Sequence, residues 1–152
     1  MNTLGNPKYK ILVVDDDADL NTTFALLLEF DGHVVRTAYT AEAAMSLLEK
    51  IKFDLVIVEY WLPQIKGDEF AAAVKQKWPD LPIILVAASI EELNVNDQPI
   101  QGVDCWLNKP FSMSQLREAM LTLLDRSTEN PPENLGTQRL NTGHLGRARR
   151  MH

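Results

Sequence analysis

Phe53–Gly67, FDLVIVEYWLPQIKG, sets an apolar run, Leu55–Val58, directly against an acid, two aromatic rings, a proline and a glycine. Such a run, short and without polar alternation, reads as a strand buried on both faces, with Glu59 at its carboxyl end. Gly67 then opens a stretch in which Phe70, Val74 and Trp78 recur at helical spacing and which stops before Pro82. The unit is strand, short loop, helix.

The same unit repeats on either side. Further strands are expected at Ile11–Val14, His33–Ala38, Pro82–Ala87 and Val103–Leu107. In the first helical stretch Leu20, Phe24, Leu27 and Leu28 are read as the inward face, and Gly32 follows where a helix end favours positive φ. Thr40 can cap the second helix, whose inward stripe is Ala44, Leu47, Leu48 and Ile51. Ser112-x-x-Gln115 is a capping-box pattern ahead of Leu116, Met120, Leu123 and Leu124. Only Ile90–Gln101, IEELNVNDQPIQ, resists: two Asn, an Asp and Pro99 make it a short helix or an irregular loop. The alternation predicts an α/β fold with a parallel sheet covered by helices on both faces.

Charge divides the chain of 152 residues in two. Up to Arg126 there are 11 basic and 19 acidic residues, and from Ser127 on 4 basic and 2 acidic. An acidic body excludes non-specific nucleic-acid binding by the folded part, which needs clustered Lys and Arg. Residues 1–126 are expected to form one domain. Residues 127–152, polar and rich in Pro, Gly and Asn, are expected to be a disordered tail, and Arg147-Ala148-Arg149-Arg150 its solvated end. Cys105, the single cysteine, lies in an apolar run and reads as a buried residue of a protein in a reducing cytoplasm. The longest nearly apolar run, Leu81–Ile90, is about half the ~20 residues of a spanning helix, so no membrane association is expected. His33, His144 and His152 show no metal-ligand spacing.

In an open parallel sheet the functional crevice lies beyond the carboxyl ends of the strands. Asp15-Asp16, Glu59, Ala87 and Lys109 all fall at or just past such ends. Adjacent carboxylates there suit a hard cation such as Mg²⁺, and a lysine across the pocket suits an anionic oxygen. Taken alone, Asp15-Asp16-Asp17 is more often a helix N-cap with a solvated first turn. Glu59 can equally serve a structural role, pairing with Lys109, since carboxylates gathered together need a cation to stay ionised.

VVDDD at Val13–Asp17, the stretch Phe53–Gly67, PIILVAAS at Pro82–Ser89 and GVDCWLNKPF at Gly102–Phe111 occur in one order with fitting spacings. Together they resemble the response-regulator receiver domains of two-component signalling, over about residues 8–126. The resemblance implies a (βα)5 flavodoxin-like fold of three layers, a five-stranded parallel sheet ordered 2-1-3-4-5, and a Lys109–Pro110 bond in the cis form. It also implies an aspartate that takes a phosphoryl group from a histidine kinase with Mg²⁺ present. By the same resemblance Asp15 and Asp16 match the metal-binding pair, with Glu59 and the backbone carbonyl of Trp61 completing any Mg²⁺ site. Glu59 stands at the phosphoacceptor position, Ala87 at the Thr/Ser position, Trp106 at the switch aromatic and Lys109 at the phosphoryl-binding lysine.

Two positions depart from the pattern. Glutamate is one methylene longer than aspartate, and a misplacement of ~1 Å can cost on the order of 10²-fold in rate. Ala87 lacks a hydroxyl, and losing one transition-state donor typically costs roughly 10²–10³-fold. Lys66 replaces an aspartate common in the family before the glycine, and Tyr60-Trp61 places two rings beside the acceptor position. The expectation is a degenerate receiver that is not an enzyme and binds a protein partner, a histidine kinase or a downstream signalling protein, independently of phosphorylation. Contact is expected on the face of the fourth helix, fifth strand and fifth helix, with a homodimer as a further assembly. The alternative is a working Mg²⁺-dependent phosphoacceptor using Glu59 or a nearby Asp. A flavodoxin-like small-ligand binder is disfavoured, because no glycine-rich loop follows the first strand.

Overall fold

The computed structural model describes residues 7–89 and 100–125, and the backbone of 145–146. Strands β1 (Lys10–Val14), β2 (Val34–Ala38), β3 (Leu55–Glu59), β4 (Ile83–Ala87) and β5 (Cys105–Asn108) alternate with helices α1 (Ala18–Phe30), α2 (Ala41–Lys50), α3 (Gly67–Lys77) and α4 (Met113–Leu124), β4 and β5 following one another directly among the described residues. All four pairings among these five strands are parallel, and their order is β2-β1-β3-β4-β5, as the resemblance implies.

The sheet continues one strand further than expected. β6 (Leu145–Gly146) pairs antiparallel with β5, Gly146 opposite Trp106 and Leu145 opposite Leu107. An open strand edge offers unpaired N–H and C=O groups to any extended segment, which is why a polar tail can supply a strand that hydrophobic pattern does not announce. The rest of the tail expected beyond Arg126, and the weak helix expected within Ile90–Gln101 apart from its last two residues, lie outside the described residues.

All five residues of β3 and of β4 are buried, as continuous apolar strands should be. On one face of the sheet Leu12, Val56 and Leu85 pack with Leu48 of α2 and Phe70 and Val74 of α3. On the other Ile11, Ile57 and Ile84 pack with Leu28 of α1 and Leu116 and Met120 of α4. Cys105 is buried in this second layer and in no disulfide, as read from sequence.

The caps follow the sequence. Thr40 Oγ1 accepts from the Ala43 amide at 3.0 Å. Ser112 and Gln115 bond reciprocally, at 3.1 and 2.8 Å, in a full capping box. Gly32 ends α1 with φ of 98°, and the Lys109–Pro110 bond is cis.

One helix face requires correction. Leu20 and Leu27 of α1 are each 40% exposed, while the inward positions are Leu28 and Asn21, with Phe24 half-buried against the same layer as expected. A polar side chain took the place in the stripe because it has backbone acceptors waiting: Asn21 Nδ2 donates to Asp15 O and Ala38 O, both at 2.9 Å. A second buried polar device ties α3 to the sheet. Asp104 Oδ2 accepts from Lys75 Nζ at 2.7 Å and from the Ile83 amide at 2.8 Å. No described helix is long and apolar enough to cross a membrane.

Candidate functional site at the carboxyl edge of the sheet

β1, β3, β4 and β5 end side by side, so Asp15, Glu59, Ala87 and Lys109 are delivered to one edge by register alone: Val14 pairs with Val58, Glu59 with Val86, and Ala87 with Asn108. Asp15 and Glu59 are both buried. Ala87 is fully buried at the end of β4.

Glu59 has both carboxylate oxygens engaged. Oε1 accepts a hydrogen bond from Lys109 Nζ in a close ion pair. Oε2 accepts from the Tyr60 amide at 2.7 Å, with the Trp61 amide at the 3.5 Å limit. The longer side chain thus folds back on its own backbone. Each hydrogen bond takes up one of the two in-plane lone pairs of its oxygen and draws charge from the carboxylate.

Lys109 also faces Asp15, its Nζ 3.9 Å from Asp15 Oδ2. Asp15 Oδ1 accepts from the Asp17 amide at 2.9 Å. Burial holds the Asp15 carboxyl above its ordinary pKa, the Asp17 amide and Lys109 work the other way, and the charges of Glu59 and Asp16 add to the rise. Asp16 is exposed. Asp17 caps α1, accepting from the Asp19 and Leu20 amides at 3.0 and 3.2 Å, so the N-cap reading holds for that member of the cluster.

The loop after β3 is tightly built. The Gly67 amide donates to Tyr60 O at 2.6 Å, and Trp61 and Lys66 form an antiparallel bridge. Ile65 N–H bonds Pro63 O at 2.9 Å around Gln64 at φ 77°, a γ-turn of the strained hand. Gly67 has no alternative residue: a Cβ there would lie 2.4 Å from Glu59 O and 2.9 Å from Leu85 Cδ1. Tyr60 is buried and Trp61 half exposed, their rings edge to face at 5.0 Å, with Lys66 Nζ 5.3 Å from the Trp61 ring.

Trp106 is half-buried and packs against the layer of α2 and α3, opposite Leu85 in register. Its indole Nε1 is buried with no hydrogen-bond partner among the described residues. The edge therefore brings together Asp15, Glu59, Ala87 and Lys109, places Trp106 two residues back from the end of β5, and leaves Asp16 turned to solvent.

Receiver domains generally use Mg²⁺ when they take a phosphoryl group. The residues here do not fit that ion as they stand. The cation between Asp15 and Glu59 is the Lys109 ammonium, and among the described residues no three acidic, His or Cys side chains are disposed to hold a metal. Sequence reading missed Asn21, which fixes the backbone of Asp15. Its one signal was a poor helix former at a helical stripe position six residues after the acidic cluster begins.

A doubly wound α/β sheet ordered 2-1-3-4-5 defines the flavodoxin-like class of folds, in which ligands bind at the carboxyl edge where these acids and the lysine lie. Residues 11–121 match the family described as response regulator receiver domain, and the chain belongs to that family. It is 33% identical over 118 residues to the alkaline phosphatase synthesis transcriptional regulatory protein PhoP of Bacillus subtilis, covering 78% of this chain and 49% of that protein. It is 32% identical over 119 residues to the phosphate regulon transcriptional regulatory protein PhoB of Pseudomonas aeruginosa, covering 77% and 52%. The chain thus spans about half the length of these curated relatives. The chemotaxis response regulator CheY4 of Vibrio cholerae superposes with a TM-score of 0.70 at 26% identity, over 78% of this chain and 100% of that one. The response regulator TrrA of Thermotoga maritima in complex with Mg(2+)-BeF superposes at 0.68 with 28% identity, over 76% and 99%. The chain is a receiver domain of two-component signalling.

Proposed function

We propose that this receiver is a protein-interaction module that takes part in two-component signalling without accepting a phosphoryl group. The observation that carries the reading is the Glu59–Lys109 ion pair: the side chain at the acceptor position is neutralised by the lysine that would otherwise hold phosphoryl oxygen. Ala87 beside it offers no hydroxyl to a transferring group, and the loss of one such donor costs about 10²–10³-fold. The domain has no enzymatic activity of its own in this reading.

Glu59 acts as a fixed structural element rather than as a mimic of the phosphorylated state. A carboxylate carries about one negative charge against roughly 1.5–2 for a phosphoryl group, and its charge here is already matched by Lys109. Ala87 cannot hydrogen-bond to either. The partner is a histidine kinase or a downstream protein of the cytoplasm, engaged through the face of β5, α4 and the segment joining β4 to β5.

The likeness to a receiver bound to Mg(2+)-BeF favours a second reading, a working phosphoacceptor in which Lys109 releases Glu59 when Mg²⁺ enters. Titrating the full chain with Mg²⁺ and beryllofluoride, while following the backbone amides of Glu59, Ala87 and Trp106 by NMR, separates the two. The interaction-module reading expects no saturable shift at millimolar ligand. Saturable shifts at all three positions would establish the second reading.

A further inference from the structure

β6 lies beyond residues 11–121, the stretch that matches the receiver family, so it is a feature of this chain rather than of the shared fold. The sheet ends in the order β4-β5-β6, and β6 runs antiparallel along the outer side of β5. Without it, β5 would present a row of unpaired N–H and C=O groups, a template for any extended segment.

The cover is partial. β5 has four residues, Cys105–Asn108, and β6 pairs with two of them, Gly146 opposite Trp106 and Leu145 opposite Leu107. So short a ladder holds few hydrogen bonds, and each contributes little once the bonds to water that it replaces are counted. Two things bring the segment back when it opens. About twenty residues separate Leu124, at the end of α4, from Leu145, and a tether keeps a released segment at high local concentration. The chain from Ser127 on carries 4 basic and 2 acidic residues against 11 and 19 before it, so body and tail attract.

A longer strand fits the same edge better. One that spans all of β5 makes the bonds that β6 makes and adds those at Cys105 and Asn108. Main-chain bonding supplies the affinity in such strand addition, and the cross-strand positions supply the selectivity. The register names one of those positions. Paired residues share a sheet face, and Trp106 packs on the face of α2 and α3, where Gly146 adds no side chain.

We infer that the outer edge of β5 is a strand-addition site for an extended segment of a protein partner, with a glycine opposite Trp106, and that the chain's own Leu145–Gly146 segment is its built-in competitor. The inference deepens the reading of the chain as an interaction module and rests on it for the existence of a partner. Its test involves no phosphoryl chemistry. An adduct on Glu59 would end that reading and leave the competition at β5 to be judged by its own result.

The test compares the full chain with its Leu145→Pro/Gly146→Pro variant, in which neither residue of β6 has an N–H to donate. Of two successive strand residues, one turns its N–H to each side, so one of the Trp106 and Leu107 amides faces β6. Hydrogen exchange followed by NMR should show that amide exchanging at least ~10-fold faster in the variant, with Leu85 and Val86 of β4 unchanged. A synthetic peptide of about six residues, Val and Thr around a central Leu-Gly pair, should bind the variant at least ~10-fold more tightly than the wild-type chain and slow exchange at the same amide. The same peptide with Pro in place of that Leu and Gly should not bind. Unchanged exchange at both amides, no binding of the first peptide to the variant, equal affinity for the two chains, or binding of the Pro peptide would overturn the proposal. A wild-type dimer in sedimentation that the variant abolishes would overturn it too, since the strand on β5 would then come from a second copy.

Discussion

Lys109 at the end of β5 and Glu59 at the end of β3 form an ion pair that reaches across the end of β4, the strand between them. The small, fully buried Ala87 ends that intervening strand, so no side-chain hydroxyl from it competes for either partner. A lysine bound in this way satisfies the buried carboxylate without any metal ion.

Substitution Glu59→Asp alone should leave the domain unlabelled by a small-molecule phosphodonor. Adding Ala87→Thr should restore labelling, because the hydroxyl supplies a donor worth about 10²–10³-fold. Intact mass after incubation with Mg²⁺ reads this directly. Labelling of the single Glu59→Asp variant would mean that carboxylate length alone is limiting.

Removing the cation should cost stability. Lys109→Met leaves Glu59 and Asp15 buried without their shared partner, and breaking a fully buried pair costs ~3–5 kcal/mol. Lys109 is a quarter exposed, which lowers the expected loss to about 2 kcal/mol. Urea unfolding of Lys109→Met and of Glu59→Gln would show the loss, which should be smaller for Glu59→Gln because the amide oxygen still accepts from Tyr60 N–H.

Gly67→Ala should destabilise by about 3 kcal/mol, since its Cβ would meet Glu59 O at 2.4 Å, and backbone cannot yield as a side chain does. Thermal unfolding measures it. An unchanged midpoint would show that the turn after Glu59 is looser than its hydrogen bonds indicate.

Acid should weaken the fold through His33. Burial pushes this imidazole below its ordinary value of 6.5, with Asp31 opposing, and Nδ1 accepts from the Tyr9 amide at 3.2 Å, which only the neutral ring can do. The unfolded chain binds the proton more readily than the folded one. The stabilisation is therefore complete above about pH 6.5 and is lost as pH falls through that value toward the lower folded-state pKa. Urea midpoints measured from pH 8 to pH 5 should fall, and the His33→Phe variant should flatten that part of the profile.

Asp15 has the opposite sign. Its carboxyl is raised, so the folded state keeps a proton where the unfolded state releases it, and burying the charge costs stability above the ordinary value of 3.8. Asp15→Asn retains an acceptor for the Asp17 amide and should stabilise the protein at pH 7. A loss of stability would show that Asp15 contributes more to holding Lys109 than its burial costs.

The sheet and its edge were legible because apolar continuity announces a doubly covered strand and because strand ends converge by topology. β1, β3 and β4, with Asp15, Glu59 and Ala87 at their ends, follow from that alone. The pairing of Glu59 with Lys109 was legible as a charge requirement. The inward face of α1 was not, because Asn21 satisfies backbone carbonyls that exist only once β1 and β2 lie side by side. Nor was β6, whose partner is an edge of backbone groups rather than a hydrophobic pattern.

The most direct measurement is the intact mass of the full chain after incubation with acetyl phosphate and Mg²⁺, alongside a phosphorylation-competent receiver treated identically. The Glu59–Lys109 pair and Ala87 predict no phosphoryl adduct on this chain while the control is labelled. A stoichiometric adduct mapped to Glu59 or Asp15 would contradict the account and make the domain a working phosphoacceptor.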